Sequence, residues 1–201
     1  PVTRMAIAGL LREELFKARE YQKKKQAWQK KNQGKSPSSP DSTFEPDFRM
    51  EPWLPVLEGK IPLKAHVHRA DDIFTAIRIA KEFGLSMTLD HCSEGHLIAE
   101  ELAKEGFPAI VGPDLSSRSK IEVQNMAFKT AAVLHQAGVL VAITTDHPVT
   151  LIQSLPLCAG LAVKSGLPME EGLRAITCNP ARICRVYDRV GSLEPGKDAD
   201  I

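Results

Sequence analysis

From residue 60 onward the chain alternates short apolar runs with amphipathic helical stretches, and that order dictates a parallel sheet. Ile61–Val67 reads as a buried strand and Asp71–Phe83 as a helix closed by Gly84. Ser86–His91 reads as a second strand, followed by a helix over Gly95–Lys104 that Gly106 closes. Ala109–Gly112 is a third strand, with a helix over Val123–Gln136 and then Gly138. Val139–Thr145 is a fourth, with a helix over Val149–Lys164 and then Gly166. Ile73, Ala76, Ile77 and Ala80 mark the buried face of the first of these helices by their spacing. Successive strands separated by helices must run the same way, because a parallel pair needs a crossover. On this pattern alone, a doubly wound sheet and part of a (β/α)8 barrel both remain open.

The region before residue 60 is of another kind. Residues 3–31 read as one helix, with Thr3 as a candidate N-cap and Ile7, Leu10, Leu11, Leu15 and Ala18 at helical spacing. Lys23, Lys24, Lys25, Lys30 and Lys31, with Tyr21 and Trp28 among them, read as a solvated face rather than a nucleic-acid contact. Residues 32–47 are rich in Ser, Pro and Gly and read as a linker, followed by a short amphipathic turn around Met50–Leu57. The expected organisation is a helix and linker over 1–58, α/β units over 59–187 and a further segment from 188 to 201. Both ends have the look of a piece of a longer protein: the chain starts at Pro1 and stops at Ile201 as an apolar strand begins.

Charge excludes some partners. The 201 residues carry 26 basic and 25 acidic side chains, a net charge of +1, which argues against a dedicated nucleic-acid binder. No apolar run is long enough to span a bilayer and no signal peptide is seen. Cys92, Cys158, Cys178 and Cys184 are scattered, without zinc-type spacing, so reduced thiols and a cytoplasmic location are expected.

Chemistry gathers at the strand ends. The first strand closes on Lys64-Ala65-His66-Val67-His68, and alternation puts Lys64, His66 and His68 on one face. The second closes on Asp90-His91 and the fourth on Thr144-Thr145-Asp146-His147; Val111-Gly112-Pro113-Asp114 at the third reads as loop chemistry. In a barrel the functional groups come from the C-terminal ends of different strands. Imidazoles and a carboxylate meeting there suit a divalent cation such as Zn²⁺, with the carboxylate moving a proton from water to a leaving nitrogen. A lone strand-end histidine is usually a satisfied polar residue; His66, His91 and Asp146 together point to a site. His68 either lines the substrate pocket or takes the place of His66. His147, Lys64 and Arg118 are weaker candidates for substrate contact. His96 reads as structural, His135 as surface, and Asp71 and Asp72 as helix caps.

The runs KAHVHRADDI, TLDHCSEGHLIAEELAKEG, VAITTDHPV, ITCNPARI and RVGSLEPGKDADI resemble the amidohydrolase superfamily, in its imidazolonepropionase-like and prolidase-like group. The resemblance covers residues 60–201. Its most specific part is Thr177-x-Asn179-Pro180-Ala181 followed by Gly191-Ser192-Leu193-Glu194-Pro195-Gly196-Lys197-Asp198-Ala199-Asp200. It implies an α/β fold, strands 5–8 of a (β/α)8 barrel with their helices, and the start of a C-terminal β-sandwich segment. It implies His66 and His91 as ligands on strands 5 and 6, and Asp146 on strand 8 as ligand and general base. The family's strand-1 His-x-His pair and its Lys or Glu near strand 4 have no counterpart here; His66 and His68 match the strand-5 pattern instead. Within the tail, Pro168 is expected to start a helix, Asn179-Pro180 to interrupt it, and Glu194–Lys197 to form a turn.

The expected activity is hydrolysis of C–N bonds other than peptide bonds, in cyclic amides, amidines or small dipeptides, with a divalent metal, Zn²⁺ first, as cofactor. The expected partners are a small-molecule substrate and further copies of the chain, with no nucleic acid and no membrane. A half-barrel leaves strand edges open and part of the ligand set missing, so the isolated chain is expected to self-associate, bind metal poorly and turn over nothing. One alternative is a non-catalytic scaffold or regulator of the same family, which would have no need of His66, His91 and Asp146. Another is an unrelated doubly wound binding protein, which would carry a glycine-rich phosphate loop; no such pattern is present.

Overall fold

The computed structural model describes residues 3–33 and 44–199. The linker expected at 32–47 lies largely outside them. Two compact units are formed, one by the chain up to Pro62 with Arg78–Ser86, the other by Leu63–Ile77 with Met87 onward.

In the first unit, helix α1 spans Arg4–Asn32, and the Thr3 hydroxyl accepts the Ala6 amide at 3.1 Å as its N-cap. Leu15 and Ala18 are fully buried. Ile7 and Leu10, placed on the same apolar stripe by spacing, stay about half exposed at 54% and 50%. A 3₁₀ turn over Glu51–Trp53 runs into the short helix α2, Leu54–Leu57, and both pack on α1. The Arg12 guanidinium grips both oxygens of Glu82 at 2.7 Å.

The second unit holds the sheet. Strands β1 (Leu63–Val67), β2 (Met87–His91), β3 (Ala109–Val111) and β4 (Val141–Ile143) are all parallel, in sequence order. Their connections are helix α3 (Ala70–Phe83), whose second half belongs to the first unit, then α4 (Ala99–Glu105) and α5 (Thr130–Gln136). After β4 come α6 (Leu155–Lys164), α7 (Met169–Arg174) and α8 (Cys178–Ile183). This is the α/β architecture that the alternation predicts. Leu89, Ala109, Ile73 and Leu134 are wholly buried. Each large apolar side chain so buried contributes about 1.5–3 kcal/mol. Strand β1 is different: Lys64 and His66 are exposed between the more covered Leu63, Ala65 and Val67.

Several helices differ from the pattern; the one expected over 95–104 begins at Ala99, after a 3₁₀ turn over Gly95–Leu97. The helix expected over 123–136 starts only at Thr130, because residues 121–129 form a 3₁₀ turn and a loop tied down by Asn125 to Glu94 and by Arg118 to the Met126 carbonyl. The helix expected over 149–164 starts at Leu155, since Pro156 has no N–H to give an earlier turn and fits the first one. Asn179-Pro180 does not interrupt a helix: the break falls at Ala175–Thr177, and Pro180 sits in the first turn of α8, where no amide is required. The Asn179 side chain donates to the Val141 carbonyl at 2.9 Å and so fastens α8 to β4. Residues 188–199, where a β-sandwich segment is expected to begin, form turns and no strand; Asp198 folds back on Arg189 through its amide (2.8 Å) and its carboxylate (2.7 Å).

Candidate metal centre

The strand register brings the histidines to one rim. His66 of β1 lies beside Asp90 of β2, so those two share a face of the sheet. By alternation His91 belongs to the opposite face. Its backbone, however, is left-handed at φ 72°, as is that of Cys92 at φ 47°. That twist swings the His91 ring round to His66: His91 Nε2 is 3.1 Å from His66 Nδ1. His68 completes the group, with its Nε2 3.1 Å from His66 Nε2 and its ring stacked on that of His91 at 4.8 Å between centroids. Ligand atoms of His66, His68 and His91 all lie within 4.8 Å of one another.

Each outer ring is held from behind. His91 Nδ1 is 2.7 Å from the Gly112 carbonyl, which can only accept, so the proton sits on Nδ1 and Nε2 carries the lone pair. His68 Nδ1 is 2.8 Å from the Ser93 hydroxyl. Beyond the end of the strands the Cys92 amide donates to the Val67 carbonyl (2.9 Å) and the Glu94 amide to that of His68 (2.8 Å), which extends the β1–β2 pairing and fixes the backbone beneath both rings. The Glu94 carboxylate receives the Ala70 amide at the start of α3 and the Asn125 side chain, each at 2.8 Å.

Burial keeps His66 and His68 neutral. It lowers the His68 pKa to about 4, helped by the neighbouring His91 and His66 rings. His66 is lowered as well, first by burial and then by His91, while the charges of Glu122 and Asp146 pull it back up. Neutral imidazoles present lone pairs at pH 7, so this donor set fits a divalent cation of the zinc type.

The remaining candidates are placed as follows. Asp146 is exposed, stands outside the imidazole group and acts on His66 through its charge. Its backbone is left-handed too, at φ 48°, with its amide bonded to the Thr144 hydroxyl at 3.1 Å. Non-glycine residues held there cost about 1–3 kcal/mol each, and such strain concentrates at functional sites. Lys64 pairs with Asp90 at 2.8 Å, and Asp90 also takes the Thr88 hydroxyl at 2.7 Å. Arg118 donates to the Met126 carbonyl of its own loop at 2.7 Å. His147 is exposed. His96 bonds the buried Thr130, in keeping with a structural part. Sequence reasoning passed over Ser93, Glu94, Gly112 and Glu122. Only the Val-Gly-Pro run held a cue for any of them, a glycine at the end of a strand.

A parallel α/β layer with a group of imidazoles where its strands end defines a class: α/β proteins whose strand-end histidines can hold a metal ion. Residues 57–201 match the amidohydrolase family, and the chain belongs to that family. A solved structure of an amidohydrolase from Thermotoga maritima MSB8 superposes with a TM-score of 0.91 at 43% identity, over 100% of this chain and 50% of that one. An imidazolonepropionase of Rhizorhabdus wittichii is 31% identical over 70% of this chain and 35% of its own length. An adenosine deaminase from Xanthomonas campestris, solved with bound zinc, shares the fold at a TM-score of 0.50 and 24% identity, over 70% of this chain and 36% of that one. The chain thus spans half or less of the relatives it matches. Among the described residues, no helix is long and apolar enough to cross a membrane.

Proposed function

We propose that this chain supplies one side of the active site of a metal-dependent hydrolase that cleaves C–N bonds other than peptide bonds, in cyclic amides, amidines or small dipeptides. The observation that carries the reading is the meeting of His66, His68 and His91, from two neighbouring strand ends, within 4.8 Å. His66 and His91 would hold a divalent cation, Zn²⁺ first, with His68 as the third imidazole. Such a cation supplies Lewis acidity, which brings the deprotonation of water within reach of neutral pH. Asp146, whose charge already acts on His66, would add a carboxylate, take the proton from water and hand it to the leaving nitrogen. His147, Lys64 and Arg118 would serve only in substrate contact. The same reading takes the four units as consecutive parts of a (β/α)8 barrel in a cytoplasmic enzyme that self-associates, and it keeps the isolated chain inactive.

Equilibrium dialysis against Zn²⁺ tests the ligand set. In the whole protein one equivalent should be retained, and His66→Ala and His91→Ala should each release it. Asp146→Asn should abolish hydrolysis in the whole protein and leave metal binding partly intact. Wild-type turnover by Asp146→Asn, or wild-type zinc retention by either histidine variant, would remove the assignment.

A further inference from the structure

The hydrogen bonds through the histidines can be ordered from one fixed end. The Gly112 carbonyl sets the His91 proton on Nδ1, so His91 Nε2 is an acceptor. The partner at 3.1 Å, His66 Nδ1, must then donate. A neutral ring has one proton, so His66 Nε2 accepts, and the proton between it and His68 belongs to His68 Nε2. His68 Nδ1 is left as an acceptor, and the group 2.8 Å from it is the Ser93 hydroxyl, which donates. The chain thus runs one way from Ser93 to Gly112, and the Ser93 hydroxyl can reverse its own bond by rotation alone. A hydroxyl both donates and accepts.

We propose that Ser93 is the positioning residue of the histidine group: its hydroxyl holds His68 in either tautomer. It donates to Nδ1 when Nε2 carries the proton toward His66. It accepts from Nδ1–H when Nε2 turns its lone pair to a cation. The second half of this statement rests on the proposed cation site; the first half does not. Ser93 suits the part because it is 6% exposed and lies between two backbone bonds to β1 and the residue after it, from Cys92 to Val67 and from Glu94 to His68. Its place is set by the sheet and does not depend on the ring it supports. An outer partner of this kind typically changes metal affinity about 10–100-fold when lost.

The test uses the full chain with Ser93→Ala and Ser93→Thr, with far-UV circular dichroism as a check on folding. Long-range ¹⁵N–¹H correlation spectra without added metal should show the His68 proton on Nε2 in the wild type and in Ser93→Thr. In Ser93→Ala the proton should stay on Nε2, where His66 still accepts it, and the His68 Nδ1 signal should shift downfield to that of an unbonded acceptor nitrogen. A wild-type His68 protonated on Nδ1, or a Ser93→Ala spectrum identical to the wild type, overturns the proposal. Titration with Co²⁺ should give about 10–100-fold weaker binding for Ser93→Ala and near wild-type binding for Ser93→Thr. Equal affinity in Ser93→Ala also overturns it. Should the wild type take up no Co²⁺, the cation site itself fails, and the tautomer spectra alone decide whether Ser93 holds His68.

Discussion

Replacing Gly112 by alanine should be among the most damaging one-carbon changes in the second unit. Gly112 has φ +119°, outside the range an L-residue adopts without strain, and a Cβ placed there would stand 2.3 Å from the Thr144 carbonyl oxygen. The obstacle is backbone of the loop after β4, so no side chain can swing aside. Strain of this kind costs about 1–3 kcal/mol. Forcing a methyl group into a filled space adds about 1–3 kcal/mol more. Together these come to roughly 2–6 kcal/mol, a large part of the 5–15 kcal/mol typical of a domain. Gly106 is the control. It has φ +74° at the end of α4, and a methyl group added there would meet nothing within 4 Å, so Gly106→Ala carries strain alone, about 1–2 kcal/mol. Urea denaturation of both variants, compared at equal m-values, separates strain from collision. The Gly112 carbonyl also fixes the His91 ring, so Gly112→Ala should weaken zinc retention and Gly106→Ala should not. If the two variants lose the same stability within about 0.5 kcal/mol, the close approach has no energetic weight and the reasoning fails.

Asp114 gives a pH-dependent outcome. Burial raises its pKa from 3.8 to about 6, so the folded chain binds a proton that the unfolded chain has lost between those values. Stability therefore falls as pH rises from about 4 to about 6, by up to about 3 kcal/mol, and stays low above that. Asp114→Asn should match the wild type near pH 4 and exceed it near pH 8 in chemical denaturation; a pH-independent difference would exclude the effect. Leu89→Ala, at a wholly buried position in β2, should cost about 2–5 kcal/mol by the same assay. Asn179→Ala removes the donor to the Val141 carbonyl and should cost about 1–3 kcal/mol, whereas an effect below about 0.5 kcal/mol would mean the bond does not fasten α8 to β4.

The sequence reading reached the layer order because burial periodicity is local. Residues such as Ile73 and Ile77 declare a helix face by spacing alone, and the runs at β2 and β3 declare buried strands by composition. Helix starts were less legible. At Thr130 and Leu155 the start is set by a loop bonded to distant groups and by a proline's missing amide, and only the second of these is written in the neighbouring residues. The histidine group was legible as residue types but not as geometry. Alternation along β2 points His91 away from His66, and nothing in Asp90-His91-Cys92 announces two left-handed residues in succession. What turns the ring is long-range: the Val67 carbonyl holds the Cys92 amide, and the Gly112 carbonyl of the next strand holds His91 Nδ1. Gly112 can offer that carbonyl only because it lacks the Cβ that the Thr144 backbone would meet. The requirement for His91 is thus recorded at Gly112, 21 residues further on and one strand over. The strain at His91 and Cys92 is held in place by bonds from both neighbouring strands. A site assembled in this way depends on register as much as on ligands, since a one-residue slip of β3 would withdraw the Gly112 carbonyl and leave all three imidazoles in the sequence without bringing them together.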